Sequence, residues 1–148
     1  MPAQIGEGMT AICKGKYATP KDVQQACNIF DLVGETVVVQ EKLLDAVTAV
    51  SGSGPAYVFL FAEMLMKASM ALGLSCPLSA QLVEKTLLGS VHQLTQLKED
   101  SSLLRAKVTS KGGTTEAAMK VLFQRKIDQL FIAALKAAKK RAGQLARK

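Results

Sequence analysis

Hydroxyl side chains, adjacent glycines and the start of a helix meet in one stretch, K-V-T-S-K-G-G-T-T-E-A-A-M-K, Lys107 to Lys120. Gly112 and Gly113 let the chain turn with φ > 0, or let another atom come close to its backbone. Ser110, Thr114 and Thr115 surround them with hydroxyls. Glu116 stands where an acid favours the positive end of a helix. A helix start with bare amides can hold an anion through its N–H groups. The same spacing fits an ordinary loop and helix cap, so the residues alone leave both readings open.

The other reactive residues offer less. Cys13, Cys27 and Cys76 are far apart and include no CxxC pair, and His92 is the single imidazole. No ligand set for a structural metal is expected from them, and buried or incidental thiols in a reducing cytoplasm are the simpler reading. His92 has no acidic neighbour and reads as a surface or packing histidine. Gly6 to Ala11 fits G-x-G-x-x-A, but a dinucleotide fingerprint needs a strand before it and a helix after it. Here a strand pattern follows, so the match is rejected. Gly52 and Gly54 in S-G-S-G-P-A-Y lie between helical patterns and read as a kink where helices pack closely.

The elements that must carry these residues fall into two textures. G-M-T-A-I-C and E-T-V-V-V-Q are strand-like runs. The segment between them reads as a helix with Thr19 as cap, Pro20 in the first turn and Gly34 at its end. One strand–helix–strand unit cannot make a stable sheet alone. From residue 40 onward only helices are expected, with Pro55 and Pro77 just inside two of them. Several are apolar on nearly every side, which predicts a helical bundle completed by a partner.

Composition sets the outer bounds. The chain has 148 residues, 49% hydrophobic and 21% charged, with a net charge of +7. That is one domain's worth of protein, expected to bury roughly 70% of its unfolded surface. No leader pattern follows Met1, so secretion is not expected. The most apolar run carries Glu63 and Lys67, whereas a membrane span needs about 20 nearly uncharged residues. A buried helix is expected there. Much of the positive charge sits near the C-terminus, where Lys136, Lys139, Lys140 and Arg147 share one side of a helix. No aromatic residues interleave with them, so a solvated face is expected rather than a nucleic-acid surface.

Three stretches together carry a resemblance. P-A-Q-I-G-E-G-M-T-A, L-L-D-A-V-T-A-V-S-G-S-G-P-A-Y-V-F-L-F-A-E-M-L and T-S-K-G-G-T-T stand in the order in which pyrroline-5-carboxylate reductases have them. The similarity runs across essentially the whole chain. The family commonly reads S-P-G-G-T/A-T at the glycine corner, and here Lys111 replaces the proline.

The resemblance implies a mainly α fold. Residues 40–148 would form a helical bundle, the dimerisation and substrate-binding domain of the 6-phosphogluconate-dehydrogenase-like C-terminal type. Residues 1–39 would be the last strand–helix–strand piece of an NADP-binding Rossmann domain. It implies NADPH-dependent (or NADH-dependent) reduction of the cyclic imine 1-pyrroline-5-carboxylate to proline by a homodimer or larger homo-oligomer. The substrate carboxylate would rest on the amides of Gly112, Gly113, Thr114 and Thr115, with Ser110 on the same loop. The Thr115 hydroxyl would meet the ring nitrogen as the catalytic group. The glycine-rich pyrophosphate site is not found in the sequence, so this chain alone is expected neither to bind the cofactor tightly nor to turn over. A non-catalytic helical dimerisation module is the alternative.

Overall fold

The computed structural model describes residues 1–146, so Arg147 of the basic side lies outside the described residues. The chain is mainly α-helical, with a single two-stranded sheet among the described residues. Strand β1 (Gly8–Ile12), helix α1 (Pro20–Phe30) and strand β2 (Gly34–Val38) form the strand–helix–strand unit. The strands are parallel, in register from Gly8 opposite Gly34 to Ile12 opposite Val38. Thr19 caps α1 as its residue type suggests. Its N–H donates to Asp22 Oδ2 at 2.7 Å, and the Asp22 N–H donates to Thr19 Oγ1 at 3.3 Å. The bond from the Thr19 backbone, with that from its hydroxyl, holds the Asp22 carboxyl below its ordinary range.

Gly34 does a different task from the one its position after a helix suggests. Helix α1 ends at Phe30, a 3₁₀ turn spans Asp31–Val33, and Gly34 opens β2. A Cβ on Gly34 would lie 1.9 Å from the Gly8 carbonyl oxygen, so the two strand starts approach each other only because no side chain intervenes.

The helical part begins with a 3₁₀ turn (Glu41–Leu43), helix α2 (Leu44–Val47) and a π-helical turn (Thr48–Gly52). Helix α3 (Gly54–Ala71) follows after Ser53 alone. The sequence predicts a kink at the glycines, and the structure has a widened turn there with the path still helical. The Ser53 N–H reaches back five residues to the Thr48 carbonyl at 2.9 Å, which absorbs one extra residue. The Tyr57 hydroxyl donates to the Ala49 carbonyl at 3.2 Å and so satisfies an oxygen within the widened turn. Helices α4 (Cys76–Leu97), α5 (Ser101–Lys107), α6 (Thr114–Gln124) and α7 (Ile127–Leu145) complete the described chain.

Two compact units divide these elements. One holds Met1–Tyr57 with the described part of Ile132–Lys148. In it Ala46, Ala49 and Val50 face Ile132 and Leu135 across a cleft of about 260 Å³ rimmed by Lys136 and Lys139. The other holds Val58–Phe131. There Leu65 and Ala68 of α3 and Leu82 and Val83 of α4 line a cavity of about 240 Å³.

Burial departs most from the sequence expectation. Only Cys27, Ala49, Val83 and Ser79 are buried among the described residues. The chain exposes 11673 Å², where a compact monomer of this length exposes about 7,300 Å². It therefore hides about half of its unfolded surface rather than the expected 70%. Helix α3 has no buried residue, so the expectation of a buried helix fails for the single chain. The stretch Glu41–Ala71 is long and apolar enough to cross a membrane by length and composition alone. Its apolar side chains have too few partners within one copy.

Ser79 is fully buried on α4, and its hydroxyl has no hydrogen-bond partner. An unmet buried hydroxyl costs about 1–3 kcal/mol. Ser79→Ala is expected to raise stability by about 1 kcal/mol, read from the urea midpoint at unchanged slope. A loss of similar size would mean that the hydroxyl is satisfied in solution.

Candidate functional site

The glycine corner joins α5 to α6. Asp100 starts α5 by accepting from the Ser102 N–H at 2.8 Å. At the other end the Thr109 hydroxyl donates to the Arg105 carbonyl at 2.7 Å, closing the helix. The Arg105 guanidinium lies over the Phe123 ring, 5.2 Å from its centroid, and ties the end of α5 to α6. The corner is thus held from both flanks.

Within the corner the two glycines do different things. The Gly113 N–H donates to the Ser110 carbonyl at 3.0 Å, which makes Ser110–Gly113 a hydrogen-bonded turn. Gly112 occupies its third position with φ 74°, the conformation a type II turn requires and a side chain disfavours. Lys111, in the second position, stands where proline suits such a turn, and it is exposed. Gly113 has φ −82°, which any residue adopts. Its requirement is space, since a Cβ there would lie 2.4 Å from Ser110 Oγ and 3.1 Å from the Ser110 carbonyl oxygen. Of the two freedoms the sequence offered, Gly112 uses positive φ and Gly113 uses close approach.

Gly113 is the N-cap of α6 and supplies no side-chain cap. The first amide paired along the helix is that of Ala117, which donates to the Gly113 carbonyl at 3.2 Å. The amides of Thr114, Thr115 and Glu116 have no partner among the described residues. Three unpaired N–H groups at the positive end of an 11-residue helix suit a carboxylate or another small anion. The amides of Gly112 and Gly113 are already engaged, the first by Glu116 Oε2 at 2.8 Å and the second by Ser110. The amides expected to meet an anion are therefore split two and two. Sequence reading missed the Glu116 bond; an acid three residues past a helix cap signals a bond to the cap's own amide, whereas here it reaches Gly112, one residue earlier.

The hydroxyls are placed less uniformly. Ser110 and Thr114 are exposed and Thr115 is half-buried. An open cleft of about 730 Å³ runs beside the corner, lined by Gly112, Gly113, Glu116, Met119, Lys120 and Phe123 among others. Ser110, Thr114 and Thr115 are not among its lining residues. The structure thus brings Gly112, Gly113 and Glu116 to one cleft and leaves Ser110, Thr114 and Thr115 outside its lining. His92 is exposed on α4, and no group of three or more His, Cys, Asp or Glu among the described residues is placed to hold a metal ion.

Residues 41–145 match the family model described as pyrroline-5-carboxylate reductase dimerisation. The chain is 41% identical to the pyrroline-5-carboxylate reductase of Mycobacterium tuberculosis (strain H37Rv), over 97% of its own length and 54% of that protein. It is 41% identical to the Synechocystis enzyme of the same name, over 99% of this chain and 55% of that one. Two solved structures are similar to it. A pyrroline-5-carboxylate reductase from Coxiella burnetii has TM-score 0.91 and 37% identity, covering 98% of this chain and 54% of that one. A Plasmodium falciparum pyrroline carboxylate reductase with NADP bound has TM-score 0.89 and 33% identity, covering 95% and 57%. The chain spans about half the length of the curated relatives it matches.

Proposed function

Because the chain belongs to the pyrroline-5-carboxylate reductase family, we propose that it is the dimerising, substrate-holding part of an enzyme that reduces 1-pyrroline-5-carboxylate to proline with NADPH. The observation that carries this reading is the row of unpaired amides at Thr114, Thr115 and Glu116, fixed behind a glycine turn at a helix start. The substrate carboxylate rests on those amides and the Thr115 hydroxyl donates to the ring nitrogen, with Ser110 beside the turn. NADPH, when bound, would supply a hydride for the imine carbon; the C=N bond becomes single and the ring nitrogen takes a proton from solvent. The protein's own contribution is orientation of the imine and stabilisation of charge at its nitrogen. Residues 1–39 belong with the nicotinamide-binding domain and 40–148 form the helical domain.

A second copy of this chain covers the apolar helices. The dimerisation description of the matched region supports that occupant. So does the Glu63–Lys67 ion pair at mid-helix, an awkward group for a lipid-facing span. Three free thiols among the described residues suit a reducing compartment such as the cytoplasm.

The test measures imine-dependent oxidation of NADPH by this chain alone and by a fusion. The fusion partner is the part of the Synechocystis relative outside the match. The fusion is expected to turn over and the chain alone is not. A fusion that folds, binds NADPH and leaves the imine untouched would overturn the assignment.

A further inference from the structure

Glu116 is the residue of the corner whose role neither the turn nor the helix requires. As the third residue of α6 it could have pointed into solvent beside the positive helix end. Instead its Oε2 accepts the Gly112 N–H at 2.8 Å, one residue before the cap. This bond crosses the turn closed by Gly113 N–H and the Ser110 carbonyl, and it fixes the one residue of the corner with positive φ. It also takes the Gly112 amide away from any incoming anion. Both glycine amides are then engaged within the protein, and only those of Thr114, Thr115 and Glu116 remain.

We propose that Glu116 is the positioning residue of the carboxylate site. It pins the Gly112 peptide, so that the ligand meets the amides at the head of α6 and not those of the turn. This inference rests on the substrate reading of the corner given above. Glu116 touches no ligand through its side chain and acts only through Gly112. Its full negative charge beside the site opposes a second anion, while its acceptor oxygen holds the turn that the anion needs. The two effects separate by substitution. Glu116→Gln keeps an acceptor and removes the charge. Glu116→Ala removes both and leaves Gly112, with φ 74° and no atom within 4 Å of where its Cβ would be, free to change conformation.

The experiment uses the full 148-residue chain, isotopically labelled, with L-proline as the probe. Hydrogen exchange at the Gly112 amide is read without ligand, and amide shifts and affinity are read during a proline titration. In the unaltered chain proline is expected to move Thr114, Thr115 and Glu116 and to leave Gly112 protected. Glu116→Ala is expected to speed exchange at Gly112 and to weaken proline binding roughly three- to tenfold. Glu116→Gln is expected to restore both, binding at least as tightly as the unaltered chain. If proline binds the corner with equal affinity in the unaltered chain and in Glu116→Ala, Glu116 has no positioning role and the substrate reading still stands. The positioning role is equally lost if Gly112 is the amide that proline shifts most, since the ligand then displaces Glu116. If proline shifts no amide of the corner in the unaltered chain, the substrate reading itself fails and takes this inference with it.

Discussion

Thr115→Ala is expected to lower kcat/KM for the cyclic imine about 100- to 1,000-fold in the catalytically competent fusion, with NADPH affinity nearly unchanged. The half-buried Thr115 lies at the second position of α6, and its hydroxyl has no partner among the described residues, so it is free to donate to a ligand. In the proposed mechanism it meets the ring nitrogen, whose charge changes as hydride arrives. A donor aimed at charge that changes in the transition state contributes about 2.7–4 kcal/mol. A donor that binds ground and transition states alike contributes about 0.5–1.5 kcal/mol and appears mainly in KM. Steady-state kinetics therefore distinguish the two roles. A variant with unaltered kcat and kcat/KM would remove Thr115 from the chemistry and leave it as part of a helix start.

Breaking the assembly is the second large effect. Leu65 and Ala68 of α3 line the cavity against α4, and on a helical projection Phe59 and Leu60 point the other way. They are 56% and 52% exposed in the single chain. Obligate dimers commonly bury above about 2,000 Å² over both partners, and each chain exposes about 4,400 Å² more than a compact monomer would, ample for such an interface. Changing both Phe59 and Leu60 to Asp places two charges where the account puts a second copy. The unaltered chain is expected to sediment as a dimer or larger species at micromolar concentration. The double variant is expected to dissociate and to lose helical circular dichroism, since each copy lacks a core of its own. A variant that keeps both its mass and its helicity would show that this face is not the interface. Insertion of the unaltered chain into lipid vesicles would assign the exposed helix to a membrane instead.

Much of this was legible in the residues. Thr19, Pro20 and the valine run of β2 announced a strand–helix–strand unit, because caps and β-branched runs act locally. Pro55 and Pro77 marked the starts of α3 and α4 for the same reason. The glycine corner was legible as a place where the backbone must be bare, although not which glycine needs φ > 0 and which needs space. That division depends on where Ser110 comes to lie, a three-dimensional fact with no periodic signal. Glycine and serine around Gly52 signal a kink, but they do not say that it takes the form of a π-helical turn at Thr48–Gly52, since they mark breaks and widened turns alike. Burial was the poorest reading. Apolar composition predicts how much surface seeks cover, and it does not reveal whether the cover comes from the same chain.

Whether the head of α6 holds the substrate's carboxylate is decided by a crystal structure of the chain with L-proline. The proline carboxylate is expected within hydrogen-bonding distance of the Thr114 and Thr115 amides, with the ring nitrogen facing the Thr115 hydroxyl and Glu116 still on Gly112. Proline bound at another place, with those amides facing only solvent, would contradict it.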